Sequence, residues 1–143
     1  MNEIEGPRKI DDATLDEMLQ AARETMPRAY VRYSGFQVGA ALLNEDGTIR
    51  PGVNVENASY PLSVCAERNA VASMVGSGQT KILAVAVATN AAHPTPPCGG
   101  CRQVLWEFGD ADTPVVTEGV DGVRARWRLG DLLPHAFGPD DLR

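Results

Sequence analysis

The sequence predicts an α/β protein, a three-layer α/β/α sandwich with a mixed sheet of about five strands and helices on both faces. Three observations lead there. Leu15, Met18, Leu19, Ala22 and Met26 recur at helical spacing and form one apolar stripe. Residues 81–89 are almost continuously apolar, as in a central strand covered on both sides. The chain as a whole then reads helix, hairpin, helix, strand, helix, strand, strand.

In order, residues 1–10 read as a loose polar lead-in. Asp11 or Asp12 caps the first helix and Pro27 ends it. Residues 30–36 form a loop. Residues 38–43 and 48–54 make a hairpin through the turn Asn44-Glu45-Asp46-Gly47. The small residues Gly39, Ala40 and Ala41 imply a helix lying close on the first hairpin strand. A second helix should begin at Ser63 or Val64 and stop at Gly76-Ser77-Gly78. Pro97 suits the first turn of a third, whose core face is Val104, Leu105 and Phe108. Residues 114–117 and 123–129 complete the sheet, and residues 132–138 close the ordered part.

At 143 residues the chain is expected to form one domain, 1–143, large enough to bury a core without staples. Thirteen Lys+Arg against nineteen Asp+Glu give a net charge of −6, which opposes a surface that tracks phosphates, so nucleic acid is not an expected partner. There is no run of about 18 apolar residues, so no membrane span is expected. The acidic, polar start differs from a secretory signal. Three cysteines cannot all pair within one chain, and a reducing cytoplasm with a metal or catalytic role is the expectation.

All three cysteines fall in two motifs, Cys65-Ala66-Glu67-Arg68 and Pro97-Cys98-Gly99-Gly100-Cys101-Arg102-Gln103. Cys98 and Cys101, three apart, share a face of one helical turn, and Cys65 opens another helix. At helix starts the unpaired N–H groups favour thiolate over thiol. Three thiolates with an adjacent carboxyl suit a Zn²⁺ ion with an open fourth position and an acid/base beside it. Glu67 is then the proton carrier, its plainer alternative being an ordinary first-turn glutamate. Other readings are a closed zinc site using His93 or His135, a redox pair, and a non-catalytic zinc scaffold. Three thiolates leave the first shell at −1, and Arg68 is a candidate to withdraw charge by hydrogen-bonding a sulfur; alternatively it is a solvated surface residue.

Together with Gln103-Val104-Leu105, these motifs resemble those of the small homotetrameric zinc-dependent cytidine deaminases, over about residues 30–137. The zinc deaminases, with their Cys₃ variant and non-ligand glutamate, are a known mechanistic class. The resemblance implies hydrolytic deamination of cytidine and 2′-deoxycytidine with release of ammonia, one zinc per subunit, and active sites shared within a cytoplasmic homotetramer. It implies that Phe36 lines the nucleoside pocket and that Asn54 and Glu56, in Asn54-Val55-Glu56-Asn57-Ala58-Ser59-Tyr60, hold the ribose 3′-hydroxyl. On the residues alone, this pair could equally cap a loop. It further implies that the Ala66 N–H binds the pyrimidine 2-carbonyl, that Glu67 contacts N3 and the 4-amino group, and that Phe137 stacks on a base in a neighbouring subunit.

The sequence departs from the family pattern at Arg32, in place of a usual proline, at Pro61, in place of a common glycine, and at Asn69, in place of a frequent threonine. A rival reading is a deaminase of a related cytosine compound such as blasticidin S. That family shares Cys-Ala-Glu and Pro-Cys-x-x-Cys but lacks the Asn54–Tyr60 stretch and the following Arg68. An RNA- or DNA-editing deaminase would be expected to carry a basic strand-binding surface.

Overall fold

The computed structural model describes residues 10–142, so the expected polar lead-in lies, apart from Ile10, outside the described residues. Helix α1 (Asp12–Thr25) starts at the cap Asp11, whose carboxylate accepts from the Thr14 N–H at 2.9 Å. Strands β1 (Val38–Asn44) and β2 (Ile49–Val53) form the expected hairpin. Helix α2 (Ala66–Gly76), strand β3 (Ile82–Thr89) and helix α3 (Gly99–Phe108) follow, then strands β4 (Pro114–Glu118) and β5 (Arg124–Arg128). A short helix, α4 (Leu129–Leu132), comes after β5.

The five strands lie in the order β2-β1-β3-β4-β5. The β3–β4 pair, connected through α3, is parallel and the other pairs are antiparallel, which gives the mixed sheet expected from sequence. Side-chain alternation sorts the core into two layers. Ala41 and Leu43 of β1 and Ala84, Ala86 and Ala88 of β3 face α1. Leu42 of β1 and Val85 and Val87 of β3 face the other way, toward Ala66, Ala70, Met74 and Leu105 of α2 and α3. The alanines of β3 leave room for α1 to approach closely.

Two glycines show how close the helices come. A Cβ on Gly39 would lie 2.1 Å from the Ala22 carbonyl oxygen of α1, as the small residues of β1 implied. A Cβ on Gly52 would lie 2.5 Å from both the Ala66 oxygen and the Ala70 nitrogen, so the first turn of α2 rests on the backbone of β2. Asn69 reinforces that contact by donating from Nδ2 to the Val53 carbonyl at 2.8 Å.

Three boundaries differ from the sequence reading. Helix α2 starts at Ala66 rather than Ser63 or Val64. Val64 is held extended by paired hydrogen bonds with Val55, and residues 60–62 form a separate 3-10 turn. Pro97 precedes the helix instead of occupying its first turn, because Cys98 is the extended cap residue. Order also continues past Gly138. A 3-10 turn spans Pro139–Leu142, where the Asp141 carboxylate accepts from the Gly138 N–H at 2.8 Å. No helix among the described residues is long and apolar enough to cross a membrane.

Candidate metal and catalytic centre

Cys65 and Cys98 occupy equivalent places, each the extended residue that caps a helix, α2 and α3 respectively. Neither uses its side chain to cap, which leaves both sulfurs free for a ligand beside helix starts whose first-turn N–H groups lack helical partners. Cys101, one turn into α3, is fully buried beneath them. The three sulfurs lie within 4.8 Å of one another, with Cys65 and Cys98 3.9 Å apart. A tetrahedral zinc ion with bonds of about 2.3 Å holds its sulfurs roughly 3.8 Å apart, which the Cys65–Cys98 spacing matches, with the Cys101 sulfur close enough to complete the set.

The protonation chemistry of the donors agrees. A hydrogen bond from Cys101 is the main cause that lowers the Cys65 pKa, to about 6, with Cys98 and the charge of Arg68 contributing. Cys101 moves strongly upward, as the donor to Cys65 and through burial. Three sulfurs in contact therefore do not all ionise by themselves, and a cation is what allows it. The two histidines stand apart from this trio. His93 pairs with Asp121 at 3.1 Å, and the sulfur cluster contains no fourth protein ligand among the described residues.

Glu67, in the first turn of α2, is only 5% exposed. Burial pushes its carboxyl up to about 7. It lines a cavity of about 180 Å³ together with Cys65 and Cys98, and is the one carboxylate in that wall. Phe36, Val38 and Val87 give apolar sides, and Asn54, Thr89 and Thr95 supply polar atoms. A larger groove of about 620 Å³ runs between α1 and β2 on the far side of the sheet, but no cysteine or histidine lines it. Size here does not mark the chemistry.

Residues 12–117 match the family model described as the cytidine and deoxycytidylate deaminase zinc-binding region. The chain belongs to this family. It is 43% identical to the cytidine deaminase of Halalkalibacterium halodurans over 125 residues, 87% of this chain and 95% of that one. It is 46% identical to the cytidine deaminase of Mycobacterium tuberculosis over 121 residues, 85% of this chain and 87% of that one. The fold matches the crystal structure of cytidine deaminase from Burkholderia pseudomallei with a TM-score of 0.82 at 43% identity, covering 85% of this chain and 98% of that one. The matched zinc-binding region includes Cys65, Cys98 and Cys101, and with the geometry of the trio it makes zinc the metal of this deaminase-family site.

The remaining sequence-derived residues divide into groups. Phe36, Asn54, Ala66 and Glu67 line the cavity with Cys65 and Cys98. Glu56 does not. It lies in an adjoining cavity of about 290 Å³ with Tyr33, Ser34 and Tyr60, accepting from the Tyr33 N–H at 2.9 Å, the Ser34 N–H at 3.1 Å and the Ser34 hydroxyl. The Ser34 hydroxyl is the chief cause that holds the Glu56 carboxyl below its ordinary value. Asn54 caps the backbone around Phe36, accepting from the Val38 N–H at 2.9 Å and donating to the Phe36 carbonyl at 2.8 Å. The loop-capping alternative is thus present for both residues, and Asn54 also lines the cavity.

Phe137 is 59% exposed and lines neither cavity of its own chain. Its carbonyl accepts from Gln103 Nε2 at 2.8 Å. Arg68 is exposed and, among the described residues, makes no hydrogen bond to a cysteine sulfur; it acts on Cys65 through charge. Arg102, beside the ligands in sequence, instead ties the helix start to the C-terminal segment, donating to the Pro97 carbonyl at 2.7 Å and the Leu132 carbonyl at 2.9 Å. Pro61 lines neither cavity, although its neighbour Tyr60 lines the outer one. Sequence reasoning missed Val87, Thr89, Thr95 and Pro96 as cavity wall, because ordinary strand and loop residues carry no chemical signature.

Proposed function

We propose that this chain catalyses the hydrolytic deamination of cytidine and 2′-deoxycytidine to uridine and 2′-deoxyuridine, with one ammonia released per water consumed. The observation that carries the reading is the buried carboxyl of Glu67 in the same cavity wall as the zinc-ligating cysteines. Cys65, Cys98 and Cys101 would hold the zinc, which when bound supplies a water molecule acidic enough to be deprotonated near neutral pH.

The chain's own groups account for the rest. The Ala66 N–H, at the first position of α2, has no partner within the helix and offers a hydrogen bond to the 2-carbonyl of the pyrimidine. Phe36, Val38 and Val87 enclose the ring and exclude solvent. Glu67 takes one proton of the attacking water and passes it to N3, then takes the second proton of that water and passes it to the departing amine. Asn54, in the wall of the base cavity, and Glu56, in the wall of the second cavity, receive the ribose. An amide and a carboxylate together can donate to and accept from its 3′-hydroxyl. A cavity of about 180 Å³ and a net charge of −6 support a free nucleoside as substrate over a nucleic-acid strand.

The same proposal includes a cytoplasmic homotetramer with shared sites. Phe137 supports it, since it is exposed, held by its backbone and turned away from its own cavity, as a residue supplied to a neighbour would be. Exposed Tyr33, Tyr60 and Leu62 near the outer cavity supply further apolar surface for a second copy. The test is ammonia and product release by zinc-loaded protein from cytidine, deoxycytidine, cytosine, adenosine and blasticidin S, with mass determined in solution. The two nucleosides of cytosine should turn over best, by a tetramer. Preference for blasticidin S or adenosine would refute the substrate assignment, and full activity from a monomer would refute the shared site.

A further inference from the structure

The polypeptide that carries Phe36 belongs to no helix and no strand. Phe36 is 38% exposed, and Gly35 before it takes a left-handed conformation at φ +71°. Packing therefore does not fix this segment, although its ring forms one wall of the catalytic cavity. Side-chain hydrogen bonds fix it instead: Glu56 holds the Tyr33 and Ser34 N–H groups, the Ser34 hydroxyl accepts from the Phe36 N–H at 2.9 Å, and two asparagines flank Phe36. Asn54 bridges Phe36 and Val38, as described above. Asn90 bridges the alternate pair, donating from Nδ2 to the Gly35 carbonyl at 2.8 Å and accepting at Oδ1 from the Gln37 N–H at 3.1 Å. The Asn90 N–H also donates to the Gln37 carbonyl at 3.1 Å.

Asn90 directly follows Thr89, the last residue of β3, which pairs with Val38 in the sheet and lines the cavity. It also begins the connection that brings Thr95 and Pro96 to the cavity and Cys98 to the metal centre. The Asn90 side chain thus continues the β1–β3 ladder beyond its end and joins two cavity walls, the aromatic one and the threonine one.

We propose that Asn90 is a positioning residue for the pyrimidine, acting through the Gly35–Gln37 peptide to hold the Phe36 ring against the base. This rests on the reading of the inner cavity as the base pocket. Ring contact is made in the bound substrate as well as in the transition state, so losing it should raise KM and spare kcat.

The test is a double-mutant cycle on the zinc-loaded enzyme with Asn90→Ala, Phe36→Ala and both. Asn90→Ala should raise KM for cytidine about fivefold, the effect of two solvent-exposed hydrogen bonds, with kcat within roughly twofold and zinc content unchanged. Asn90→Asp keeps the acceptor for Gln37 but sets a carboxylate against the Gly35 carbonyl, and should recover part of the loss. Once Phe36 is alanine, removing Asn90 should add almost nothing. Additive effects, an unchanged KM in Asn90→Ala, or a fall in kcat alone would overturn the proposal.

Amide hydrogen exchange gives a readout independent of turnover. In Asn90→Ala the Gln37 amide should exchange about tenfold faster or more, while the Val38 amide, held by Asn54, stays protected. Equal protection of Gln37 in the variant and the parent would overturn the proposal even if cytidine were not the substrate. An inactive parent with a selectively released Gln37 would instead overturn the substrate assignment and keep the tether.

Discussion

The cysteines and Glu67 stand on the first turns of α2 and α3 and at their caps, with Ala66, Glu67 and Cys101 buried and the backbone fixed by helix. The segment around Phe36, across the cavity, is exposed and hangs from the side chains of Asn54, Asn90 and Glu56. Both halves line one cavity. In the proposed reaction the helix-borne half must place a metal and a proton carrier within a fraction of an ångström, and rigid elements do that best. The loop-borne half would contact parts of the substrate that do not react, where small adjustments affect binding more than chemistry. Damage to the first half should abolish catalysis, and damage to the second should weaken KM.

The largest expected effect is on the metal. Cys101→Ser should lose bound zinc and all measurable turnover, since two sulfurs at helix caps do not close a tetrahedral site. Metal analysis and ammonia release check this, and stoichiometric zinc in an active variant would contradict it. Next comes the seat of α2. Gly52→Ala places a methyl 2.5 Å from α2 backbone atoms and should destabilise the fold by about 1–3 kcal/mol. Because that turn carries Cys65 and Glu67, kcat should fall with it, as thermal melts and kinetics would show.

The loop half should respond more mildly. Ser34→Ala removes the main bond holding the Glu56 pKa down, so that pKa should rise toward the ordinary glutamate value, as NMR titration would show. KM should rise a few-fold with kcat nearly unchanged. The sign of the pH effect follows from the lowered folded-state value. Glu56 stabilises the parent above the pKa of the unfolded chain, and this contribution fades as pH falls through the folded pKa. The variant should therefore lose less stability than the parent on acidification.

This contrast also explains what the sequence could reveal. The metal trio and Glu67 were legible because chemistry-bearing residue types stood at diagnostic spacing on readable helices. The central place of residues 81–89 in the sheet followed from their nearly continuous apolar run. The second half was less legible because its meaning lies in contacts across 53 and 55 residues, from Asn90 to Gln37 and Gly35. An asparagine at a strand end looks the same whether it braces a wall or meets solvent. Helix α2 began later than expected because Val64 pairs with Val55, a tertiary contact no local pattern announces. Arg102, adjacent to Cys101 in sequence, is a strap for the C-terminal segment, again through contacts that no local pattern announces.

The central claim is that Glu67 moves protons in a zinc-dependent deamination and does not hold the metal. Ammonia release from cytidine by Glu67→Ala, measured beside zinc content, tests it most directly. The expected result is zinc at the parent stoichiometry and a rate lower by at least the ~10²–10⁴-fold that positioned proton transfer supplies. A rate near that of the parent would contradict the role of Glu67, and loss of zinc with the activity would make it part of the metal site instead.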